Sequence, residues 1–231
     1  MIKIRDLNRR NFMKAATASV LGGAVASVGM DAFAPVEAQA QTTDTPQQAL
    51  QRLVDGNKRY VDQRLTSFTK DMALIRQHTA EKQEPFAAVL SCADSRVPVE
   101  IVFDQAIGDV FVTRVAGNIA TPEIIASLEY GAAVLGTKVL VVMGHSACGA
   151  VKATIAGKEV PGQISSLYPY IYPAVEQAGT SLEAASKQNV KNQVSLLSKA
   201  SPVLAKLIQE KNLQIVSAFY DVSTGQVTML E

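Results

Sequence analysis

Both cysteines of this chain and one of its two histidines fall in two short segments, Ser91-Cys92-Ala93-Asp94-Ser95-Arg96 and Gly144-His145-Ser146-Ala147-Cys148-Gly149. Two thiolates and an imidazole suit Zn²⁺, which takes cysteine sulfur and histidine nitrogen in tetrahedral sites. Three protein ligands leave a fourth position for solvent, the pattern of a catalytic zinc. His145 and Cys148, three apart at a strand–helix turn, can converge on one ion, and Cys92 must then come from a neighbouring strand. Asp94 can reach the ion or its solvent, and Arg96 can pair with Asp94 through a bidentate fork. Other readings are open. The cysteines could form a disulfide. Asp94 could complete a closed four-ligand site, or both thiols could be core residues. A disulfide requires neither His145 nor the Asp94–Arg96 pair, and the Gly and Ser flanking both cysteines stand at strand ends rather than inside strands. His78 lies in a polar helical stretch and reads as solvated.

The elements that must position these residues are legible from periodicity. Residues 86–91, 109–115 and 138–143 are short apolar runs of strand length, and 138–143 shows no alternation, as expected of a strand covered on both faces. Residues 213–220 and 226–230 read as two closing strands joined by the turn-rich 221–225. Helical patterns alternate with the strands. Thr45-Pro46-Gln47-Gln48 is a capped start with proline in the first turn, and Leu50, Leu53, Val54 and Val61 then form one apolar stripe that something must cover. A weaker helix is expected over 69–83. Others follow from Thr121-Pro122, over 147–156 and 182–198, and from Ser201-Pro202. Such alternation predicts an α/β fold, with a mostly parallel central sheet, an antiparallel edge strand, flanking helices and an N-terminal helical arm. Both ligand segments directly follow strands, at the carboxyl ends where open parallel sheets form their sites.

Composition narrows the field. With 231 residues, 48% hydrophobic and 19% charged, the chain can bury a core and is not intrinsically disordered. A net charge of +1, with no long basic run, argues against nucleic acid as the main partner. The first forty residues read as an export signal. Lys3, Arg5, Arg9, Arg10 and Lys14 precede an uncharged apolar stretch over 15–30, and Ala38-Gln39-Ala40 fits a cleavage site. Arg9-Arg10 followed by Asn11-Phe12-Met13-Lys14 resembles the twin-arginine export motif. The apolar stretch is short of the ~20 residues that span a bilayer. Cleavage after Ala40 is therefore expected, leaving one domain over 41–231, no membrane span and a periplasmic location.

The two motifs CADSR and HSAC, about fifty residues apart with a parallel-sheet pattern between them, resemble the β-class carbonic anhydrases over nearly all of 41–231. The resemblance implies zinc held by Cys92, His145 and Cys148, one ion per subunit, with Asp94 and Arg96 as the family's dyad. It also implies a second state in which Arg96 releases Asp94 onto the metal. Finer matches are to the plant-type branch, with Gln83 nine residues before the first cysteine, Phe111 nineteen after it and Tyr130 fifteen before the histidine. They imply that Gln83 donates a hydrogen bond to CO2 or bicarbonate, and that Phe111 and Tyr130 line an apolar pocket at a subunit interface. Ala116, where plant-type enzymes tend to carry Val, would widen that pocket, and Gly149 follows the last ligand. Taken alone, Phe111 and Tyr130 could be core aromatics and Gln83 a surface amide. The implied activity is reversible hydration of CO2, in a homodimer or higher even oligomer whose N-terminal helix serves as a dimer arm. Hydrolysis of CS2 or COS on the same scaffold, and a non-catalytic zinc or bicarbonate-binding module, are the competing functions.

Overall fold

The structure, a computed structural model, describes residues 42–70 and 72–231, all within one unit of the chain, Val36–Glu231. The expected signal and its cleavage site lie outside the described residues. Five strands form one sheet in the order β2-β1-β3-β4-β5. They are β1 (Ala87–Ser91), β2 (Val110–Arg114), β3 (Val139–His145), β4 (Gln214–Tyr220) and β5 (Val227–Leu230). β2, β1, β3 and β4 run parallel, and β5 pairs antiparallel with β4. The expected α/β architecture is therefore observed, including its antiparallel edge.

Every residue of β1 and β3 is buried, which is why their sequences do not alternate. Ala87, Val89, Val139, Val141 and Met143 face one apolar layer, while Ala88, Leu90, Leu140 and Val142 face the other. The chain leaves β1 toward β2 on one side and β3 toward β4 on the other. The order of connection thus reverses between β1 and β3, opening a crevice at their carboxyl ends. Cys92 follows β1 and His145 ends β3, so the crevice lies between the two predicted ligand segments.

Helix α1 (Pro46–Val61) forms as its sequence dictates. The Thr45 hydroxyl accepts from the Gln48 N–H at 3.2 Å and the Gln48 side chain accepts from the Thr45 N–H at 2.8 Å. Of the expected stripe only Leu53 is buried by the chain itself, and the docked face is Ala49, Leu53, Gly56 and Asn57. Ala49 and Leu53 are buried in the layer that holds Phe103 and Met143. Gly56 lets the helix approach so closely that a Cβ there would lie 1.8 Å from the Phe103 carbonyl oxygen. Asn57 fixes the dock, donating to the carbonyls of Val102 and Gly225 and accepting from the Val227 N–H. Leu50 is partly buried against the same layer, while Val61 is 42% exposed.

The weaker helix is shorter than expected, α2 (Met72–Thr79), and buries none of its residues. The loop before it is held by Asp104, whose side chain is fully buried. That carboxylate accepts from Arg59 Nε at 2.5 Å and from the N–H groups of Thr66 and Ser67. Burial pushes its pKa up, but Arg59 and the Ser67 and Thr66 donors more than offset this and hold it well below the carboxylate range. A one-turn helix, α3 (Val99–Val102), leads toward β2. After β2, α4 (Pro122–Glu129) runs into a π-type turn, Tyr130–Val134, a distortion often found at functional sites. It brings Gly131 onto the Phe111 ring, 3.0 Å from where a Cβ would stand. Four more helices complete the layers: α5 (Gly149–Ala156), α6 (Tyr168–Ala178), α7 (Leu182–Ala200) and α8 (Pro202–Gln209). Among the described residues no helix is long and apolar enough to cross a membrane.

Candidate metal centre

The segment after β1 is braced from β2. Arg114 Nε donates to the Cys92 carbonyl at 3.0 Å and Arg114 Nη2 to the Asp94 carbonyl at 2.6 Å. The segment after β3 turns on Ala147, whose φ of 55° is left-handed, a conformation costing a non-glycine residue about 1–2 kcal/mol. The turn brings Cys148 back beside His145 and leaves it as the N-cap of α5.

Cys92, His145 and Cys148 are all buried, and their ligand atoms lie within 4.8 Å of one another. The thiols are free, so the disulfide reading is not what the structure forms. Both do sit in an apolar cluster with Ile119, Val151 and Ile171, but the imidazole between them is not part of such a core. His145 Nδ1 lies 2.8 Å from the Ser146 carbonyl. A proton on Nδ1 makes that contact a hydrogen bond and leaves Nε2 with its lone pair. Nε2 is buried without a hydrogen-bond partner, and leaving such an atom unsatisfied costs about 1–3 kcal/mol. The sulfurs compete for a proton. Cys92 is pulled far below the thiol range, chiefly by a hydrogen bond from the Cys148 thiol, with the Gly117 N–H adding to it against burial. Cys148 is pushed up by the Cys92 sulfur and by burial. A soft, buried S₂N donor set with an orphaned imidazole nitrogen fits zinc.

Asp94 and Arg96 stand at the mouth of this group. Arg96 Nε donates to Asp94 Oδ1 at 2.9 Å and Arg96 Nη2 to Asp94 Oδ2 at 2.8 Å, and the Arg96 backbone N–H also reaches Oδ1. Arg96 Nη2 further contacts the Ala147 carbonyl at 3.3 Å, tying the dyad to the turn between the other two ligands. This arrangement holds the Asp94 carboxyl well below its usual range, chiefly through Arg96. Asp94 Oδ2 is 3.8 Å from His145 Nε2. Both its oxygens are engaged by Arg96, so the structure holds Asp94 beside the three-ligand group rather than within it.

The residues matched to a substrate pocket divide into two places. Ala116 precedes Gly117, whose N–H donates to Cys92 Sγ at 3.3 Å, and Gly149 opens α5 beside Cys148 with free space where a side chain would stand. Gln83, Phe111 and Tyr130 gather elsewhere. The Phe111 and Tyr130 rings are 6.2 Å apart at 49°, and Gln83 and Tyr130 line an open hollow of about 500 Å³. Phe111 is in register with Ala88, four residues before Cys92, or about 13 Å along the strand at about 3.3 Å per residue. Gln83 precedes β1 altogether. Within one chain this trio is not brought to the metal ligands. Sequence reasoning missed Arg114 and the Gly117 N–H. Their signal was there, since both stand at the carboxyl end of the β2 run, beside that of β1.

The family described as Carbonic anhydrase matches residues 87–227. The chain is 34% identical over 192 residues to a carbonic anhydrase of Mycolicibacterium smegmatis, covering 80% of this chain and 93% of that one. It is 32% identical to carbonic anhydrase 2 of Mycobacterium tuberculosis, with 80% and 92% covered. Among solved structures, the Coccomyxa β-carbonic anhydrase in complex with acetazolamide superposes with a TM-score of 0.64 at 26% identity, over 82% of this chain and 87% of that one. A structure from a study of two tetrameric β-carbonic anhydrases of Sordaria macrospora gives a TM-score of 0.61 at 26% identity, over 68% and 90%.

Proposed function

From the premise that this chain belongs to the β-class carbonic anhydrases, we propose that it catalyses the reversible hydration of CO2 to bicarbonate and a proton, using one zinc ion per subunit held by Cys92, His145 and Cys148. The observation that carries the reading is the buried Cys–His–Cys group with the Arg96-held carboxylate of Asp94 3.8 Å from its imidazole. Zinc bound there would acidify a coordinated water, whose pKa falls from about 15.7 to about 7 at a carbonic anhydrase zinc held by three histidines. Asp94 Oδ2 then accepts the hydrogen bond of the reacting solvent molecule and fixes which lone pair faces CO2. Arg96 keeps Asp94 in that role by occupying its remaining lone pairs. Ile119, Val151 and Ile171 give the sulfurs an apolar surround that excludes bulk water. The test is stopped-flow CO2 hydration by the purified chain with CS2 assayed in parallel. Turnover of CS2 without CO2 would overturn the reading.

The plant-type pocket belongs to the same proposal, in a homodimer. Gln83, Phe111 and Tyr130 cannot serve the metal group of their own chain, so they would serve that of a second copy. Tyr130 and Ile107 are 45% and 56% exposed, β2 is an edge strand, and a neighbouring structure comes from a study of tetrameric enzymes. Complementation tests this. Gln83→Ala and Cys92→Ala chains, each nearly inactive alone, are expected to recover about a quarter of wild-type activity when co-assembled. Half of randomly paired dimers are mixed, and each of these holds one intact site. No recovery would mean that Gln83 does not act across the dimer, and a Gln83→Ala chain fully active alone would place Gln83 outside the site.

Residues 1–40 are proposed as a cleaved twin-arginine signal that carries the domain at 41–231 to the periplasm already folded, with its thiols loaded before they meet an oxidising compartment. Replacing Arg9 and Arg10 by lysine is expected to leave the chain in the cytoplasmic fraction. Unchanged export would refute the route.

A further inference from the structure

Polar side chains on the inner face of a long helix need a reason, because apolar residues there would pack without requiring partners. On α7, Asn189 is fully buried and Gln193 is 2% exposed, on the same face as Val190 and Leu197. Their partners are mostly backbone groups of one irregular loop. Asn189 Nδ2 donates to the Gly117 carbonyl at 2.8 Å, and the Ala120 N–H donates to Gln193 Oε1 at 2.9 Å. Gln193 Nε2 donates to Asn189 Oδ1 and to the Tyr170 carbonyl on α6, both at 3.1 Å. The loop needs them. Gly117 and Asn118 have left-handed φ values of 79° and 45°, so regular structure does not satisfy its buried peptide groups. Gly117 is gripped from both sides, with its carbonyl on Asn189 and its N–H on Cys92 Sγ at 3.3 Å. A side chain there would be strained at this φ, and its Cβ would press on Ile171 Cδ1 at 2.7 Å and Ala150 Cβ at 3.3 Å.

We infer that Asn189 and Gln193 are positioning residues for the Cys92 sulfur: by clamping the peptides of 117–120 they aim the Gly117 N–H at Sγ and set that sulfur's place and donor strength toward a metal. The inference rests on the reading of Cys92 as a zinc ligand. An N–H on a thiolate withdraws charge from it, which partly offsets the electron-rich character of a two-thiolate site. Groups of this kind, one bond removed from the ligands, typically change metal affinity or activity by about 10–100-fold when altered.

The test uses the full chain with Asn189→Asp, Asn189→Leu and Gln193→Leu, and Gln188→Ala as a control amide on the same helix. Zinc affinity is measured by chelator competition, the thiolate-to-metal absorption by cobalt substitution, and the unfolding midpoint on metal-stripped protein. The Asn189 variants, which act on the sulfur only through the Gly117 peptide, are expected to bind zinc up to about 10-fold more weakly, the low end of the range for groups bonded to a ligand, with a shifted cobalt band, Gln193→Leu to shift both in the same direction, and the control to stay within about twofold. A lowered midpoint with unchanged zinc affinity and cobalt spectrum would reduce Asn189 and Gln193 to a structural role and overturn the inference. Should the Asn189 variants not fold, Gln193→Leu and the cadmium-113 form of the wild type decide. The latter should show scalar coupling between cadmium and the Gly117 amide proton, and lack of coupling counts against the inference. A wild-type chain that binds neither zinc nor cobalt refutes the parent reading instead.

Discussion

Cys92→Ala is expected to purify folded, to retain less than about a tenth of the wild-type zinc, and to hydrate CO2 at least about a thousandfold more slowly, a loss of about 4 kcal/mol or more of transition-state stabilisation. The size of the effect follows from how few groups the site has. Removing one of three ligand atoms leaves a sulfur and an imidazole nitrogen that cannot by themselves hold a tetrahedral ion with an open position. Folding should survive, because Cys92 packs as a small apolar side chain among Ile119, Val151 and Ile171 and Ala shortens it by one atom. The cost of such a truncation is about 1 kcal/mol, a small part of a domain's stability. Metal analysis and stopped-flow hydration on one preparation decide the matter. Wild-type zinc content with near-wild-type turnover would remove Cys92 from the centre, and with it the assignment of His145 and Cys148. Thiol titration of the wild-type apoprotein adds a check, since the two free thiols should both react once unfolded.

How far the centre could be read in advance depends on what kind of order each part has. β1 and β3 were legible because both of their faces are covered, which writes an unbroken apolar run, and the ligand segments were legible because they interrupt such runs at one end with Gly, Ser and Cys. The switch in connection order between β1 and β3 was not legible, since strand order is a property of pairing across the whole sheet. No element was legible over α6, a helix that carries two prolines, Pro169 and Pro173. Pro169 stands in the first turn, where its missing N–H costs nothing. α2 starts at Met72 rather than 69, after a loop in which Asp104, nearly forty residues away, captures Thr66 and Ser67. Nothing in the sequence of α7 sets Asn189 and Gln193 apart from solvent-facing amides. Only the loop they satisfy reveals them, and a loop's unpaired peptides leave no mark in its own sequence beyond Gly117.

Arg96→Ala separates metal binding from catalysis. Arg96 touches neither sulfur nor imidazole in the hydrogen-bond network, and its side chain is 49% exposed. Losing the ion pair should therefore cost little stability, since the guanidinium stands largely in solvent. The variant is expected to keep about one zinc per subunit and to lose at least about a hundredfold in hydration, a magnitude at the upper end of that for groups one bond from a metal site. The cause is release of Asp94. In the wild type the guanidinium and the Arg96 backbone N–H take both carboxylate oxygens. Without the side chain, Oδ2 stands 3.8 Å from His145 Nε2 as an unpaired, deprotonated ligand facing a divalent ion. It would close the fourth position against solvent, turning the open centre into the four-ligand site that the sequence also allows. X-ray absorption on the zinc form reads this directly, as an added carboxylate oxygen in the variant. Arg96→Lys should recover little, because an ammonium offers one point contact where Asp94 is held by a two-pronged fork. Zinc loss from Arg96→Ala would mean that Arg96 supports the ligands themselves. Near-normal hydration would mean that Asp94 needs no holding, and the dyad would then have no part in the reaction.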